Sequence, residues 1–292
     1  MAHILEVNKL RKHYKDFILD DVSFALPAGT ILGIIGPNGA GKTTTIKLIM
    51  NMISSNGGDI RIFGMTYPGD EKKIKNRIGF VGEEQTFYAD KTVNWMGKYV
   101  ASFYERWDTN MFQRLLTDFA ISRTKKIAEL SKGQTVKLAL SLALSHNPDL
   151  AILDEPTAGL DPIVRRDILK ILKQFTENGE KSVIISSHIT DDIARTADYI
   201  LYMIKGGVAL CGSKDDLLAD WKWIHFKKGA LPESTISTLH KVKEHMFGSE
   251  GLTDRFLSLK TDLEKGLEAK EIKVENASLD DILIALADGD SR

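Results

Sequence analysis

The amino-acid sequence predicts an α/β fold in which helices cover both faces of a parallel sheet. Three observations carry that prediction. The run Ile31-Leu32-Gly33-Ile34-Ile35 is apolar on both faces, as a strand buried inside a parallel sheet must be. Short apolar runs return at residues 150–153, 182–186 and 199–204. Between them lie stretches with helical periodicity at 162–176 and 191–197, and strands that alternate with helices need crossover connections and hence parallel neighbours.

The elements follow in order. Runs at 3–7, 17–26, 30–35 and 59–63 have strand character, with turns at Pro27-Ala28-Gly29 and Asn56-Gly57-Gly58. The third run stops at Gly36, and a helical pattern extends from about residue 42 to 52. From about 86 to 146 the apolar residues fall at helical spacing, first Trp95, Met96, Tyr99, Val100, Phe103 and Tyr104, then Phe112, Leu115, Leu116 and Phe119. This predicts a helical insertion into the α/β core. From about residue 213 the chain becomes richer in charge and less regular. The alternation at 221–226 reads as a half-buried strand and 278–287 as a capped amphipathic helix, so a small α+β appendage is expected. The predicted division is 1–212 and 213–292.

Composition narrows the function classes. The 292 residues are 43% hydrophobic and 27% charged with a formal charge of −1, the balance of a globular protein with no electrostatic pull toward nucleic acid. Cys211 is the single cysteine, which excludes an intramolecular disulfide and suits a reducing compartment. Residues 1–11 lack the apolar core of a secretory leader, and no run approaches the ~20 apolar residues of a membrane span. Any membrane process this chain serves is expected to draw its spanning helices from another chain.

Gly36-Pro37-Asn38-Gly39-Ala40-Gly41-Lys42-Thr43 fits G-x-x-x-x-G-K-[ST] at every fixed position, between an apolar strand and a helix. A nucleotide tail is a chain of anions and needs many donors in a small concave space. Glycines let the backbone curl until several N–H groups point inward, and the following helix adds the positive end of its dipole. Lys42 places a cation between the last two phosphates, Thr43 a hydroxyl on the accompanying magnesium ion, and Thr44 is assigned to the same ATP-binding set. Downstream, Leu150-Ala151-Ile152-Leu153-Asp154-Glu155 is an apolar strand ending in two acids. Its C-terminal end should face the crevice where α/β folds bind ligands. Asp154 would hold the magnesium, and Glu155 would orient or deprotonate the water that attacks the terminal phosphate.

Further segments resemble one family of such ATPases, the ABC (ATP-binding cassette) proteins. Leu130-Ser131-Lys132-Gly133-Gln134 resembles the family signature LSGGQ with Lys132 in place of the first glycine, just before a helical stretch. Pro156-Thr157-Ala158-Gly159-Leu160-Asp161 resembles its D-loop, Ser187-His188 its switch histidine, and Tyr14 the aromatic that stacks on adenine. The resemblance covers about residues 3–215. It implies a P-loop NTPase cassette with an N-terminal antiparallel β subdomain, a parallel-sheet core and the helical insertion. It also implies that two cassettes, as homodimer or heterodimer, sandwich each ATP between one chain's Lys42 loop and the other's Ser131, Lys132, Gly133 and Gln134. On this reading His188 joins Glu155 in catalysis and Asp161 communicates across the dimer. In the usual place of a magnesium-touching glutamine the chain has Glu83, with Gln85 the nearby alternative, and Gly82 replaces a common proline. The stretch Phe103-Tyr104-Glu105-Arg106-Trp107-Asp108 resembles bacterial exporter-type cassettes. The implied function is ATP-driven transport, in the direction of export, through a separate integral membrane permease, with the chain bound peripherally at the cytoplasmic face of the membrane. The alternative is a soluble ABC-type ATPase uncoupled from transport.

Overall fold

The computed structural model describes residues 3–246 and 248–289, and the chain divides into two compact units, 1–211 and 212–292. The first unit begins β1 (His3–His13), β2 (Ile18–Pro27), β3 (Ile31–Ile35), α1 (Lys42–Ile49), β4 (Gly57–Ile62), β5 (Met65–Thr66), α2 (Glu71–Lys75) and β6 (Ile78–Val81). Helices α3 (Val93–Ala101), α4 (Thr109–Asp118) and α5 (Lys132–Leu144) follow. The alternation then resumes with β7 (Leu150–Leu153), α6 (Pro162–Thr176), β8 (Ser182–Ser187), α7 (Thr190–Thr196), β9 (Tyr199–Ile204) and β10 (Gly207–Ser213).

Two sheets build this unit. One is antiparallel in the order β2-β1-β4-β5. The other runs β10-β9-β3-β8-β7-β6, and its pairs β9–β3, β3–β8, β8–β7 and β7–β6 are parallel. Every residue of β3, β7 and β8 is buried, which is why these strands read as unbroken apolar runs rather than as alternations. The antiparallel sheet and the parallel core share one apolar cluster that includes Leu5, Val22, Leu32, Ile46, Ile62, Ile152 and Ile184.

The helices of the insertion start where their caps say they should. Thr92 caps α3 by accepting from the Trp95 N–H, and Asp108 caps α4 by accepting from Met111. Strand β6 lies ahead of the insertion and is not among the strands expected from sequence. It is four residues long with a glycine inside it. A methyl group on Gly79 would lie 2.4 Å from the Ala143 carbonyl oxygen, so the glycine exists for the close approach of α5.

The second unit contains α8 (Lys214–Asp220), β11 (Lys222–Phe226), α9 (Glu233–Ile236), β12 (His240–His245), β13 (Gly248–Thr253), α10 (Phe256–Glu268), β14 (Ile272–Asn276) and α11 (Leu279–Gly289). Its antiparallel sheet has the order β12-β13-β11-β14 around a core of its own, Ile224, Phe226, Leu231, Leu239, Leu259, Leu263 and Ile272. Among the described residues no helix is long and apolar enough to cross a membrane.

Candidate active site

Parallel register brings the site together. Ile35 lies opposite Ser187 and Leu153 opposite Ile185, so the loops that leave β3, β7 and β8 emerge at one edge of the sheet. They enclose a cleft of about 690 Å³ lined by Asn38, Gly39, Ala40, Gly41, Lys42, Thr43, Thr44, Glu155, Ala158 and His188, with Glu83 contributed by the segment after β6 and Asp16 and Phe17 by the segment between β1 and β2.

The loop after β3 is tightly constrained. A methyl group on Gly36 would lie 2.3 Å from the Met203 carbonyl oxygen, and Gly41 caps α1 with φ of 107°, a conformation that glycine tolerates. The first N–H groups of α1 have no partner within the helix and sit at the cleft. Lys42 opens α1 and is only 6% exposed. Its ammonium donates to the carbonyls of Gly36 at 2.8 Å and Pro37 at 3.4 Å, and lies 3.2 Å from Glu155 Oε1.

Asp154 and Glu155 follow β7 directly, and both are buried. Ser186 on β8 connects them: its hydroxyl donates to Asp154 Oδ1 at 2.6 Å and accepts from the Glu155 N–H at 2.8 Å. The other oxygen of Glu155 meets His188 Nδ1 at 2.7 Å and accepts from the His188 N–H at 3.4 Å. One carboxylate is therefore held between a lysine ammonium and an imidazole, in an enclosure where such contacts act strongly.

Several other residues named from sequence, Gly36 and Pro37 among them, lie outside the cleft lining. Tyr14 is exposed, with its ring 6.5 Å from Phe17 and the Lys12 ammonium 5.3 Å from its centroid; Phe17 is the aromatic that lines the cleft. Glu83 lines it too, whereas the Gln85 amide turns back to donate to the Gly82 carbonyl at 2.6 Å. Ser131 forms the N-cap of α5 in a capping box, its hydroxyl accepting from the Gln134 N–H while the Gln134 side chain accepts from the Ser131 N–H, each at 3.2 Å. Ser131 and Gln134 thus both serve the helix cap, and Ser131 and Lys132 are exposed at the tip of α5 with Gly133 half-buried behind them. Asp161 caps α6, accepting from Ile163 at 3.1 Å and Val164 at 3.0 Å. Sequence reasoning missed Phe17 and Ser186 as site residues. Phe17 had a signal in its position just before β2, but Ser186 had none, since a serine in an apolar strand is unremarkable until its partners are known.

The oxygen donors suit magnesium. Thr43 and Glu83 share the cleft, and Asp154 is buried beside it. Among the described residues no group of three or more His, Cys, Asp or Glu side chains is placed to hold a metal alone. A donor set of few carboxylates is what magnesium uses when phosphates complete its shell.

A family model described as ABC transporter matches residues 19–158. The chain is 31% identical over 222 residues to the probable multidrug ABC transporter ATP-binding protein YbhF of Escherichia coli (strain K12), covering 74% of this chain but 38% of that one. The chain thus spans well under half of that relative's length. It is 33% identical over 220 residues to the linearmycin resistance ATP-binding protein LnrL of Bacillus subtilis (strain 168), covering 73% and 70% of the two chains. A solved structure of an ATP-binding subunit of an ABC transporter superimposes with a TM-score of 0.68 at 28% identity, over 74% of this chain and 92% of that one.

Proposed function

The chain belongs to the ABC transporter ATP-binding proteins, and from that premise we propose that it binds ATP with magnesium in the Lys42 cleft, hydrolyses it, and drives transport through a separate membrane permease. The observation that carries the reading is the convergence of Lys42, Glu155 and His188, with Glu155 within 3.2 Å of the lysine and 2.7 Å of the histidine. An entering triphosphate competes with Glu155 and with two carbonyls for the Lys42 ammonium. The loop N–H groups and the α1 dipole take up the remaining charge. Glu155, released from Lys42 but still held through its N–H by Ser186, orients the attacking water and accepts its proton. His188, at the rim, keeps that carboxylate aligned. Thr43, Glu83 and Asp154 would hold the magnesium, which supplies neutralisation of charge on the phosphate oxygens.

The tip of α5 at Ser131, Lys132 and Gly133 is assigned to the nucleotide of a second cassette in a head-to-tail pair. ATP favours the closed pair because only closure completes each site, and hydrolysis with its charge separation reopens it. Support for a permease partner comes from the insertion. Trp95 and Tyr99 lie one turn apart on α3 and Phe103 follows just past its end, Trp95 stacks on Tyr99 at 5.1 Å, Phe103 meets Tyr99 edge-on at 5.2 Å, and Tyr88 packs edge-on against Trp95 and Tyr99 at 5.7 Å. Phe103 is 61% exposed. A contiguous exposed aromatic surface fits an interaction site. Export is the direction we assign, in line with the linearmycin resistance named for LnrL, and peripheral attachment to the cytoplasmic face of the membrane follows from the permease partnership.

Fluorescent-nucleotide titration and phosphate release test the reading. Lys42→Ala should abolish binding. Glu155→Gln should keep binding while hydrolysis falls at least about 100-fold, roughly 3 kcal/mol of lost catalysis. Undiminished hydrolysis in Glu155→Gln would remove Glu155 from the mechanism. Isolation of the chain from membranes together with a spanning subunit distinguishes a transport ATPase from a soluble uncoupled one.

A further inference from the structure

One ion pair and two close approaches link the start of α5 to the segment that carries Asp161. At the tip, a methyl group built on Gly159 would lie 2.8 Å from Lys132 Nζ, so this ammonium rests directly over the loop glycine. One residue on, a methyl group on Gly133 would lie 3.3 Å from both Cγ atoms of Val164, in the first turn of α6. One turn deeper, Lys137 is 8% exposed, its ammonium pairs with Asp167 of α6 at 2.8 Å, and it lies 5.2 Å from the centroid of Phe119. The α5 end at Ser131 and the α6 end at Asp161 are thus linked by one ion pair, Lys137 with Asp167, and by two close approaches nearer the tips.

We infer that Lys137 and Asp167 are positioning residues that lock the Ser131 tip and the Asp161 loop into one rigid surface, so that both reach a second cassette together. The inference rests on the head-to-tail reading, because that reading places both segments against the partner. A buried ammonium costs desolvation unless it is paired, and here a single carboxylate and an aromatic face satisfy it. The pair therefore fixes spacing between the helices more than it adds stability. The unusual Lys132 extends the same link to its end, where a glycine would leave the loop uncovered.

The experiment uses the full chain in the Glu155→Gln background, where hydrolysis is blocked. Lys137→Met keeps the length of the buried stem and removes the charge, and Lys137→Arg is the conservative control. The first readout is ATP-dependent dimerisation by sedimentation. Lys137→Met should weaken it at least about tenfold, with Lys137→Arg recovering most of the loss, while nucleotide affinity of the monomer stays within about twofold. The second readout is hydrogen exchange in the monomer. The Ile163 and Val164 amides should exchange at least about tenfold faster in Lys137→Met, with those of residues 46–49 unchanged. Unaltered dimerisation and exchange in Lys137→Met would overturn the inference. A Glu155→Gln parent that stays monomeric with ATP would instead overturn the head-to-tail reading, and the exchange result would then decide the mechanical link by itself.

Discussion

Glu155 takes a backbone conformation that residues with side chains seldom adopt, with φ of 49°. The turn follows a strand buried along its whole length, and the Ser186 hydroxyl holds the Glu155 N–H in place. The strain is local and its consequence is aim: the side chain points to Lys42 and His188 rather than along the strand. Because Glu155 partly neutralises Lys42, it should oppose anions that bind there. Glu155→Gln removes that competition and leaves a buried ammonium seeking a charge. Its affinity for ADP, which is not hydrolysed, should therefore rise about tenfold, or ~1.4 kcal/mol. Isothermal titration with ADP checks this, and equal or weaker ADP binding would show that the Lys42–Glu155 contact does not oppose the ligand.

At the scale of elements, the join between α5 and β6 carries its own titration. His146 follows α5, is 1% exposed, stacks on Tyr104 with centroids 3.9 Å apart, and lies with Nε2 3.1 Å from the Ile78 carbonyl oxygen. Burial is the main force pushing its pKa down from 6.5 to about 4; the Arg106 charge pushes the same way, while the Ile78 carbonyl and Asp149 oppose it. As pH falls through about 6.5 the unfolded chain takes up a proton on this residue, and the folded protein does so only near 4. Between those values the unfolded state binds more protons, so stability drops on acidification, by on the order of 3 kcal/mol over the window. His146→Phe keeps the stacking and removes the titration. Its urea-unfolding free energy should be flatter between pH 6.5 and 4 than that of the parent, and an identical slope would assign the acid sensitivity elsewhere. The same scale explains why β6 was not legible. A four-residue run with glycine inside has little periodicity, and it becomes a strand because α5 covers it and β7 pairs with it.

Across the whole molecule, each compact unit has its own apolar cluster, and the cleft with all its lining residues belongs to the first. Leu263 is fully buried in the second. Leu263→Ala should destabilise that unit by about 2–5 kcal/mol and leave nucleotide affinity within about twofold, with urea unfolding and nucleotide titration as the two measurements. A large change in affinity would mean that the units share their energetics. The amino-acid order alone determined what depends on neighbours in the chain: the apolar run before Gly36, the spacing from Gly36 to Thr43, the acids after Leu153, the helical period of α6, and the likeness to ABC cassettes. Tertiary structure alone decided what depends on distant residues meeting. It placed Ser186 beside Asp154 and Glu155, put Phe17 but not Tyr14, and Glu83 but not Gln85, in the cleft lining, laid Lys132 over Gly159, and paired Lys137 with Asp167 from 30 positions away. The physical reason is that periodicity and caps are set within a few residues, whereas the partner of a buried polar group is chosen by which strands pair and which helices pack, and no local pattern encodes that choice.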